Sequence, residues 1–238
     1  MSDITFTIDG TRVAAKQGET IMQAADRAGI YIPRLCAHKD LHAFGACRVC
    51  TVLVNGRPQA ACTQPAAEGA VVENETEQLR DVRASLVEML FVEGNHFCMF
   101  CEKSGMCELQ ALGYRFGMLA PRYPYQFPER TVDASHPDVM IDRNRCVLCG
   151  RCVRGSRDVD KKTVFEFTGR GKNKQISVNA EAALGDTNLA AADRAVDLCP
   201  VGCIIRKRTG YKVPIGERKY DKQPIGSEIE AAGKPAAR

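Results

Sequence analysis

The cysteines of this 238-residue chain are grouped, and their spacing constrains the fold more than any other feature. Eleven of the twelve form three groups: Cys36, Cys47, Cys50 and Cys62; Cys98, Cys101 and Cys107; and Cys146, Cys149, Cys152 and Cys199. The N-terminus has a strand pattern and no signal-peptide features, so we expect a cytoplasmic protein whose thiols stay reduced. Many cysteines without export favour metal ligation over disulfides, and these spacings favour iron–sulfur clusters.

The first group has the spacing C-x10-C-x2-C-x11-C, which predicts a [2Fe–2S] cluster held by four thiolates. Gly45 precedes Cys47 in a loop whose backbone N–H groups can point at the sulfurs. The alternative is a structural zinc ion, which usually takes two tight C-x2-C pairs. Only Cys47 and Cys50 form such a pair, so the pattern favours the cluster.

The second group has only three thiols, whereas a [4Fe–4S] cluster needs four ligands. His96 lies two residues before Cys98 and is the nearest candidate for the fourth ligand. A nitrogen ligand in place of an anionic thiolate should raise the reduction potential. The alternatives for the fourth ligand are Cys203 and solvent.

The third group, C-x2-C-x2-C with a remote Cys199-Pro200, is typical of one [4Fe–4S] cluster in bacterial ferredoxins. This spacing suits a cube better than a single zinc ion. The ligands of a second ferredoxin cube are absent together, since Ser156, Leu189, Ala192 and Ala195 stand at those positions. We therefore expect a two-cluster ferredoxin reduced to one cube, with apolar residues filling the vacancy, and about ten iron atoms per chain.

Hydrophobic patterning predicts an α+β chain in four parts. These are a [2Fe–2S] β-grasp domain over 1–78, a short helical His/Cys3 [4Fe–4S] segment over 79–120, a bacterial-ferredoxin-like domain over 121–210 and a tail over 211–238.

Specific elements follow from turn and cap signals. Asp9-Gly10 and Asn55-Gly56 predict hairpins, and Thr20 predicts the start of a helix that ends at Gly29. Further helices are expected from Leu79 to near Gly94, over 108–116 and over 189–199, with a strand at 139–141 and a hairpin joining 164–167 to 175–178. The polar tail is expected either to dock or to stay loose.

Other features exclude several classes of protein. No apolar run reaches 18 residues, so we expect no membrane span, and the dispersed basic residues and net charge of +4 do not suit nucleic acid. No nucleotide-binding or nucleophile motif is present, so no substrate site is expected. Cys203 is expected to be a buried core residue near the third group. His38 and His42 are expected at the surface or beside the first cluster's ligands, and His136 in a loop.

Five arginines surround the third group in sequence: Arg143, Arg145, Arg151, Arg154 and Arg157. They are expected to offset the charge of the cube or to contact a partner, and ordinary surface charge is the alternative.

The order of these motifs resembles the N-terminal region of the large iron–sulfur subunit of respiratory complex I and of [FeFe]-hydrogenases. The stretches MLFVEGNHFCMFCEKSGMCELQALGYRFG, CVLCGRCVRGSRDVD and DLCPVGC resemble most the small diaphorase subunits of cytoplasmic NAD-reducing [NiFe]-hydrogenases. The complex I relatives place the histidine four residues before the first cysteine, where this chain has Gly94.

The resemblance implies an electron-relay subunit of a hydrogen:NAD⁺ oxidoreductase. Its partners would be a flavin- and NAD-binding subunit and the small and large [NiFe]-hydrogenase subunits. The alternatives are a relay subunit of an NAD-dependent formate dehydrogenase or another complex I-like oxidoreductase, a free ferredoxin-like carrier, and a structural or DNA-binding zinc protein.

Overall fold

The N-terminal part is a five-stranded sheet packed against one helix in the computed structural model, which describes residues 4–232. Its elements are β1 (Ile4–Ile8), β2 (Thr11–Ala15), α1 (Ile21–Arg27), β3 (Thr51–Val54), β4 (Arg57–Ala60) and β5 (Val71–Glu73). The strand order is β2-β1-β5-β3-β4, and the β1–β5 pair is parallel whereas the other pairs are antiparallel. The sheet buries Phe6, Ile8 and Val52 against Ile21 and Ala25 of α1.

Local signals correctly predicted the turn between β3 and β4 and the start of α1. Asn55 and Gly56 both have positive φ, as a type I′ hairpin turn requires, and they set Val54 opposite Arg57. The Thr20 hydroxyl accepts a hydrogen bond from the Gln23 N–H, and the Gln23 side chain accepts one from the Thr20 N–H. This reciprocal capping box explains why α1 begins at Ile21.

Two helices bracket the second cysteine group. They are α2 (Glu77–Val92) and α3 (Glu108–Arg115), and both match the predicted positions closely. Val87 and Phe91 of α2 share a core with Leu109 and Leu112 of α3. The loop between the helices is thereby held at both ends, and it carries the second group.

The C-terminal part has little regular structure. Its elements are β6 (Val132–Asp133), β7 (Val139–Asp142), α4 (Arg151–Arg154), β8 (Phe165–Thr168), β9 (Gln175–Val178), α5 (Arg194–Asp197), β10 (Ile204–Arg206) and α6 (Ser227–Ala232). β10, β7 and β6 form a small antiparallel sheet, and β8 pairs with β9 as the predicted hairpin. A π-helical turn at Gly155–Val159 continues α4.

The predicted helix over 189–199 is wrong for its first half, because only Arg194–Asp197 is helical. The Asp160 carboxylate accepts hydrogen bonds from the backbone N–H groups of Arg194 and Ala195, both at 2.9 Å, and so begins the helix there. The Leu189 carbonyl accepts instead from the buried His136 ring, at 2.9 Å. Long-range partners thus replaced the helical hydrogen bonds that the local pattern predicted.

The described part of the tail, residues 211–232, docks on α3, the helix that follows the second group, and the last six residues of the predicted tail lie outside the described residues. Arg115 of α3 donates to the Ile225 carbonyl at 2.9 Å and pairs with Glu230 of α6. Ile225 is buried, and Tyr220 packs against the shared core. Within the described residues, no helix is long and apolar enough to cross a bilayer.

Candidate metal centres

The first cysteine group lies on loops at one end of the N-terminal sheet. Cys36 follows the buried Leu35, Cys50 leads into β3, and Cys62 lies just beyond β4. Cys47 is half-buried, and its sulfur accepts a hydrogen bond from the Cys36 N–H at 3.3 Å. The long loop that carries Cys47 is therefore held by the buried Leu35 at its start and by strand β3 at its end.

Hydrogen bonds between thiols show how closely this group converges. Hydrogen bonds from Cys47 and Cys62 lower the pKa of Cys36, and a hydrogen bond from Cys62 lowers the pKa of Cys50. The pKa values of Cys47 and Cys62 are raised, first through their bonds with Cys36. Each sulfur thus lies within reach of another, as the ligands of one small cluster must, so this group fits a [2Fe–2S] cluster.

The second group and its predicted fourth ligand line one small cavity. His96, Cys98, Cys101 and Cys107 all contribute to its wall. The His96 Nε2 atom is buried and has no hydrogen-bond partner in the described structure, although buried polar atoms are almost always paired. Burial, reinforced by Arg145, lowers the pKa of His96 to about 4, so its ring is neutral, as a metal-binding imidazole must be. This donor set fits a [4Fe–4S] cluster.

The His96 ring lies against Gly94, the position that holds the histidine in the complex I relatives. A Cβ at Gly94 would lie 2.6 Å from the His96 Nε2 atom and 2.9 Å from the Asn144 carbonyl oxygen. The imidazole of His96 therefore covers position 94 and leaves no room there for a side chain. Phe91 packs edge-on against the ring at a centroid distance of 5.5 Å, which holds it in this orientation.

The third group forms a tight turn at the start of α4. Leu148 and Gly150 have positive φ, and the Leu148 N–H donates to the Cys146 sulfur at 3.4 Å. Cys149, Cys152 and Cys199 are buried, and Cys146 is half-buried. Burial raises the pKa of Cys149 to about 12. The three sulfurs of this turn, together with the buried sulfur of Cys199, fit a [4Fe–4S] cluster, whose iron would replace the thiol protons.

Cys203 lies beside the third group and does not line the second group's cavity. It is buried, as predicted. A hydrogen bond from Cys203 lowers the pKa of Cys199 to about 6, and the pKa of Cys203 is raised through its bonds with Cys146 and Cys199. This position favours His96 over Cys203 as the second group's fourth ligand.

The predicted vacancy for a second ferredoxin cube is closed by direct packing. A Cβ at Gly155 would lie 2.5 Å from a Leu198 methyl carbon and 3.3 Å from the Ala195 Cα. The Ser156 hydroxyl accepts a hydrogen bond from the Val164 N–H at 2.7 Å. Leu189 and Ala195 are buried as expected, but Ala192 is exposed and fills no space in the core.

Most of the five arginines near the third group are not surface charges. Arg143, Arg151 and Arg154 are buried, and Arg145 is half-buried with its Nη1 atom 3.6 Å from the Cys101 sulfur. Only Arg157 is exposed, and it pairs with its neighbour Asp158. Sequence reasoning missed Glu108, which forms an ion pair with Arg151, because nothing in the local pattern links positions 43 residues apart.

The predicted ligands lie in groups, but among the described residues no group has the arrangement of a site for a single metal ion. Among residues 4–232, no three His, Cys, Asp or Glu side chains converge on one point as the ligands of a single metal ion do. His38 is half-buried and interacts with Asp40 at 3.7 Å, and His42 is exposed.

Three family models match successive parts of the chain. A 2Fe-2S iron–sulfur cluster binding domain matches residues 2–77, the NADH-ubiquinone oxidoreductase-G iron–sulfur binding region matches 83–122, and a 4Fe-4S single cluster domain matches 139–205. The gamma subunit of the NAD-reducing hydrogenase HoxS from Cupriavidus necator is 44% identical over 223 residues, which cover 93% of this chain and 95% of that subunit. The chain belongs to this hydrogenase gamma-subunit family.

A solved structure and longer relatives agree with this family. A chain in the crystal structure of an NAD⁺-reducing [NiFe]-hydrogenase in the H2-reduced state superposes with a TM-score of 0.92 at 45% identity, over 98% of this chain and 99% of that one. The 78 kDa subunit of mitochondrial NADH-ubiquinone oxidoreductase from Candida albicans is 34% identical over 96% of this chain. This chain spans 33% of the length of that longer relative.

Proposed function

We propose that this chain is the iron–sulfur electron-relay subunit of an NAD-reducing hydrogenase. The observation that carries the proposal is a single backbone hydrogen bond, in which the Glu108 N–H donates to the Pro200 carbonyl at 2.9 Å. Glu108 directly follows Cys107 of the second group, and Pro200 directly follows Cys199 of the third. Two predicted cluster sites are thus joined by one short bonded path inside a dry core, which suits the passage of electrons.

The proposed ligand sets follow the three groups. Cys36, Cys47, Cys50 and Cys62 hold one [2Fe–2S] cluster; His96, Cys98, Cys101 and Cys107 hold one [4Fe–4S] cluster; and Cys146, Cys149, Cys152 and Cys199 hold another. We further propose that the N-terminal sheet with α1 is a β-grasp domain over 1–78, followed by domains over 79–120 and 121–210 and the docked tail. The packed residues Gly155, Ala195 and Leu198 support one cube rather than two in the last domain.

The overall reaction balances across three kinds of subunit. Oxidation of H2 at a [NiFe] partner yields two protons and two electrons, and two electrons with one proton reduce NAD⁺ to NADH at a flavin-bearing partner. Bound iron–sulfur clusters supply one-electron acceptance and release in between. The chain's own residues hold the sulfurs, exclude water and place positive charge around the anionic sites.

The partners proposed are a flavin- and NAD-binding subunit and the small and large [NiFe]-hydrogenase subunits, all in the cytoplasm. A formate dehydrogenase is the less favoured assignment. A relative matched over 95% of its length and a structure with a TM-score of 0.92 are both from NAD-reducing hydrogenases.

A relay makes a specific prediction for a broken cluster site. In the purified complex, Cys149→Ser should abolish H2-dependent NAD⁺ reduction, while H2-dependent and NADH-dependent reduction of soluble dyes both continue on the separate partner subunits. Cys203→Ser is the matched control in the same core and should keep the coupled reaction. An intact coupled reaction in Cys149→Ser would refute the relay role.

Metal analysis distinguishes the hydrogenase assignment from the formate dehydrogenase assignment. The complex should contain nickel, and the full chain produced anaerobically should hold about ten iron atoms. Formate-dependent NAD⁺ reduction with molybdenum or tungsten and no nickel would support the formate dehydrogenase instead. About fourteen iron atoms per chain would contradict the loss of the second cube.

A further inference from the structure

Arg151 is the most deeply buried of the five arginines around the third cysteine group. It lies between Cys149 and Cys152 at the start of α4, and only 2% of its surface is exposed. An unpaired buried charge is very costly, so a buried arginine is kept only where specific partners satisfy it. Its partners therefore indicate what the residue does.

Those partners stand next to a predicted ligand in each of the other two groups. The Arg151 Nη1 and Nη2 atoms donate to the two Glu108 carboxylate oxygens, each at 2.7 Å, and Glu108 directly follows Cys107. Nη2 also donates to the Ala37 carbonyl at 2.8 Å, and Ala37 directly follows Cys36. One guanidinium thus connects all three cluster-bearing segments.

The geometry of these contacts requires arginine. A planar guanidinium presents several donors in a fixed fork, so it can bind a carboxylate in a bidentate manner and a carbonyl at the same time. Lysine keeps the charge but cannot reproduce the fork. Arg154 makes a narrower link, since it donates to the Cys36 carbonyl at 2.7 Å and to the Cys149 carbonyl at 3.3 Å and so joins only the first and third groups.

One donor of Arg151 remains free of protein partners. Its Nε atom is buried and, within the described residues, has no hydrogen-bond partner. Only two other side-chain atoms in residues 4–232 share this condition, and one of them is the His96 Nε2 atom in the second group's cavity. A buried cationic donor next to Cys152 is well suited to a cluster that carries negative charge.

We propose that Arg151 is a positioning residue that locks the three cluster-bearing segments to one another, with Glu108 as its counter-charge. The inference rests on the proposed relay function. Electron tunnelling falls exponentially with the gap between centres, so a small loosening of the segments slows transfer even when every cluster is present. The charge of Arg151 also raises the potential of the third cluster, because positive charge favours the reduced form.

The test uses the complete complex with variants Arg151→Gln, Arg151→Lys and Glu108→Gln. The matched control is Arg157→Gln, which removes an exposed arginine from the next helical turn. We expect H2-dependent NAD⁺ reduction to fall about 10- to 100-fold in Arg151→Gln, as for other groups that orient metal ligands. Iron content and dye reduction by the partner subunits should stay at the wild-type level.

Two spectroscopic readouts separate positioning from folding. The EPR interaction between neighbouring reduced clusters should weaken in all three variants, and the third cluster's potential should fall in Arg151→Gln but hold in Arg151→Lys. Slow transfer in Arg151→Lys despite a wild-type potential would identify the fork geometry, rather than the charge, as the cause. The control should match wild type in every readout.

Several outcomes overturn the proposal. Wild-type H2-dependent NAD⁺ reduction in Arg151→Lys would show that the forked guanidinium is unnecessary. Wild-type reduction in Arg151→Gln would show that Arg151 itself is unnecessary. Loss of iron in all three variants assigns the residues to folding alone. Failure of the relay function itself would be recognised in the unmodified complex, as a missing coupled reaction or a wrong iron count.

Discussion

The N-terminal sheet and the remainder of the molecule have cores of different kinds. The sheet and α1 bury their own core, built from alternating strands around Phe6, Ile8 and Val52. The second core extends from Leu35 near the first group to Ile204 near the third, and it includes cysteines from all three groups. Its α4 and α5 have four residues each, too few to be stable helices alone.

The difference indicates where metal contributes to folding. A region rich in regular hydrogen-bonded structure can be held by apolar burial, whereas short turns around cysteines depend on their ligand bonds. The buried Arg151–Glu108 pair joins these turns but supplies specificity more than stability. The two regions should therefore respond differently to loss of iron and to loss of apolar contacts.

Removal of iron should produce the largest contrast between them. Structural metal binding contributes on the order of 10 kcal/mol to small metal-dependent domains. After chelation we expect hydrogen exchange to accelerate strongly over α4, α5 and the Cys98–Cys107 loop, while β1, β3 and β5 keep slow exchange. Equal acceleration in both regions would show that the sheet also depends on metal.

Truncation of the sheet's core should produce the reverse pattern. Phe6 is 1% exposed, so Phe6→Ala should lower the free energy of unfolding of the N-terminal region by about 3–5 kcal/mol. The EPR signals assigned to the two cubes should not change. Val71→Ala, at a position 55% exposed in the same sheet, is the control. It should lower the free energy of unfolding by about 0.5 kcal/mol or less. Denaturant unfolding monitored by hydrogen exchange measures both.

Exchange of the histidine in the second group tests its ligand role. His96→Cys should keep a full complement of iron and lower that cluster's reduction potential by on the order of 100 mV, since an anionic thiolate stabilises the oxidised cluster. His96→Ala should lose the cluster's native EPR signal. Redox titration followed by EPR makes the measurement, and an unchanged spectrum and potential in His96→Ala would exclude this residue as a ligand.

Loss of the N-cap of α1 should have the smallest effect on the stability of the N-terminal region. Thr20→Ala removes the hydroxyl that accepts from the Gln23 N–H, and N-cap losses typically cost about 1 kcal/mol. The destabilisation should be confined to the N-terminal region, and iron content should not change. Thermal unfolding of the iron-loaded chain, compared with Thr5→Ala on the neighbouring strand β1, provides the measurement.

Sequence reasoning succeeded where structure is decided within a few residues. The Thr20 cap, the Asn55-Gly56 turn and the hairpin of β8 with β9 depend on neighbours along the chain, and all are confirmed. The helix predicted from Leu189 was wrong because the Asp160 carboxylate begins α5 at Arg194. The central place of the short strand β5 was not predicted, since its pairing with β1 joins residues distant in sequence.

The sequence by itself determined the kind of site, because cluster ligands are recognised by their type and spacing. It also predicted three sites rather than four from Ser156, Leu189, Ala192 and Ala195. The tertiary structure favoured His96 over Cys203 as the second group's fourth ligand, and it alone linked Arg151 to Glu108 and Ala37. These contacts join segments up to 114 residues apart, and the packing of a shared core, which no local pattern encodes, brings them together.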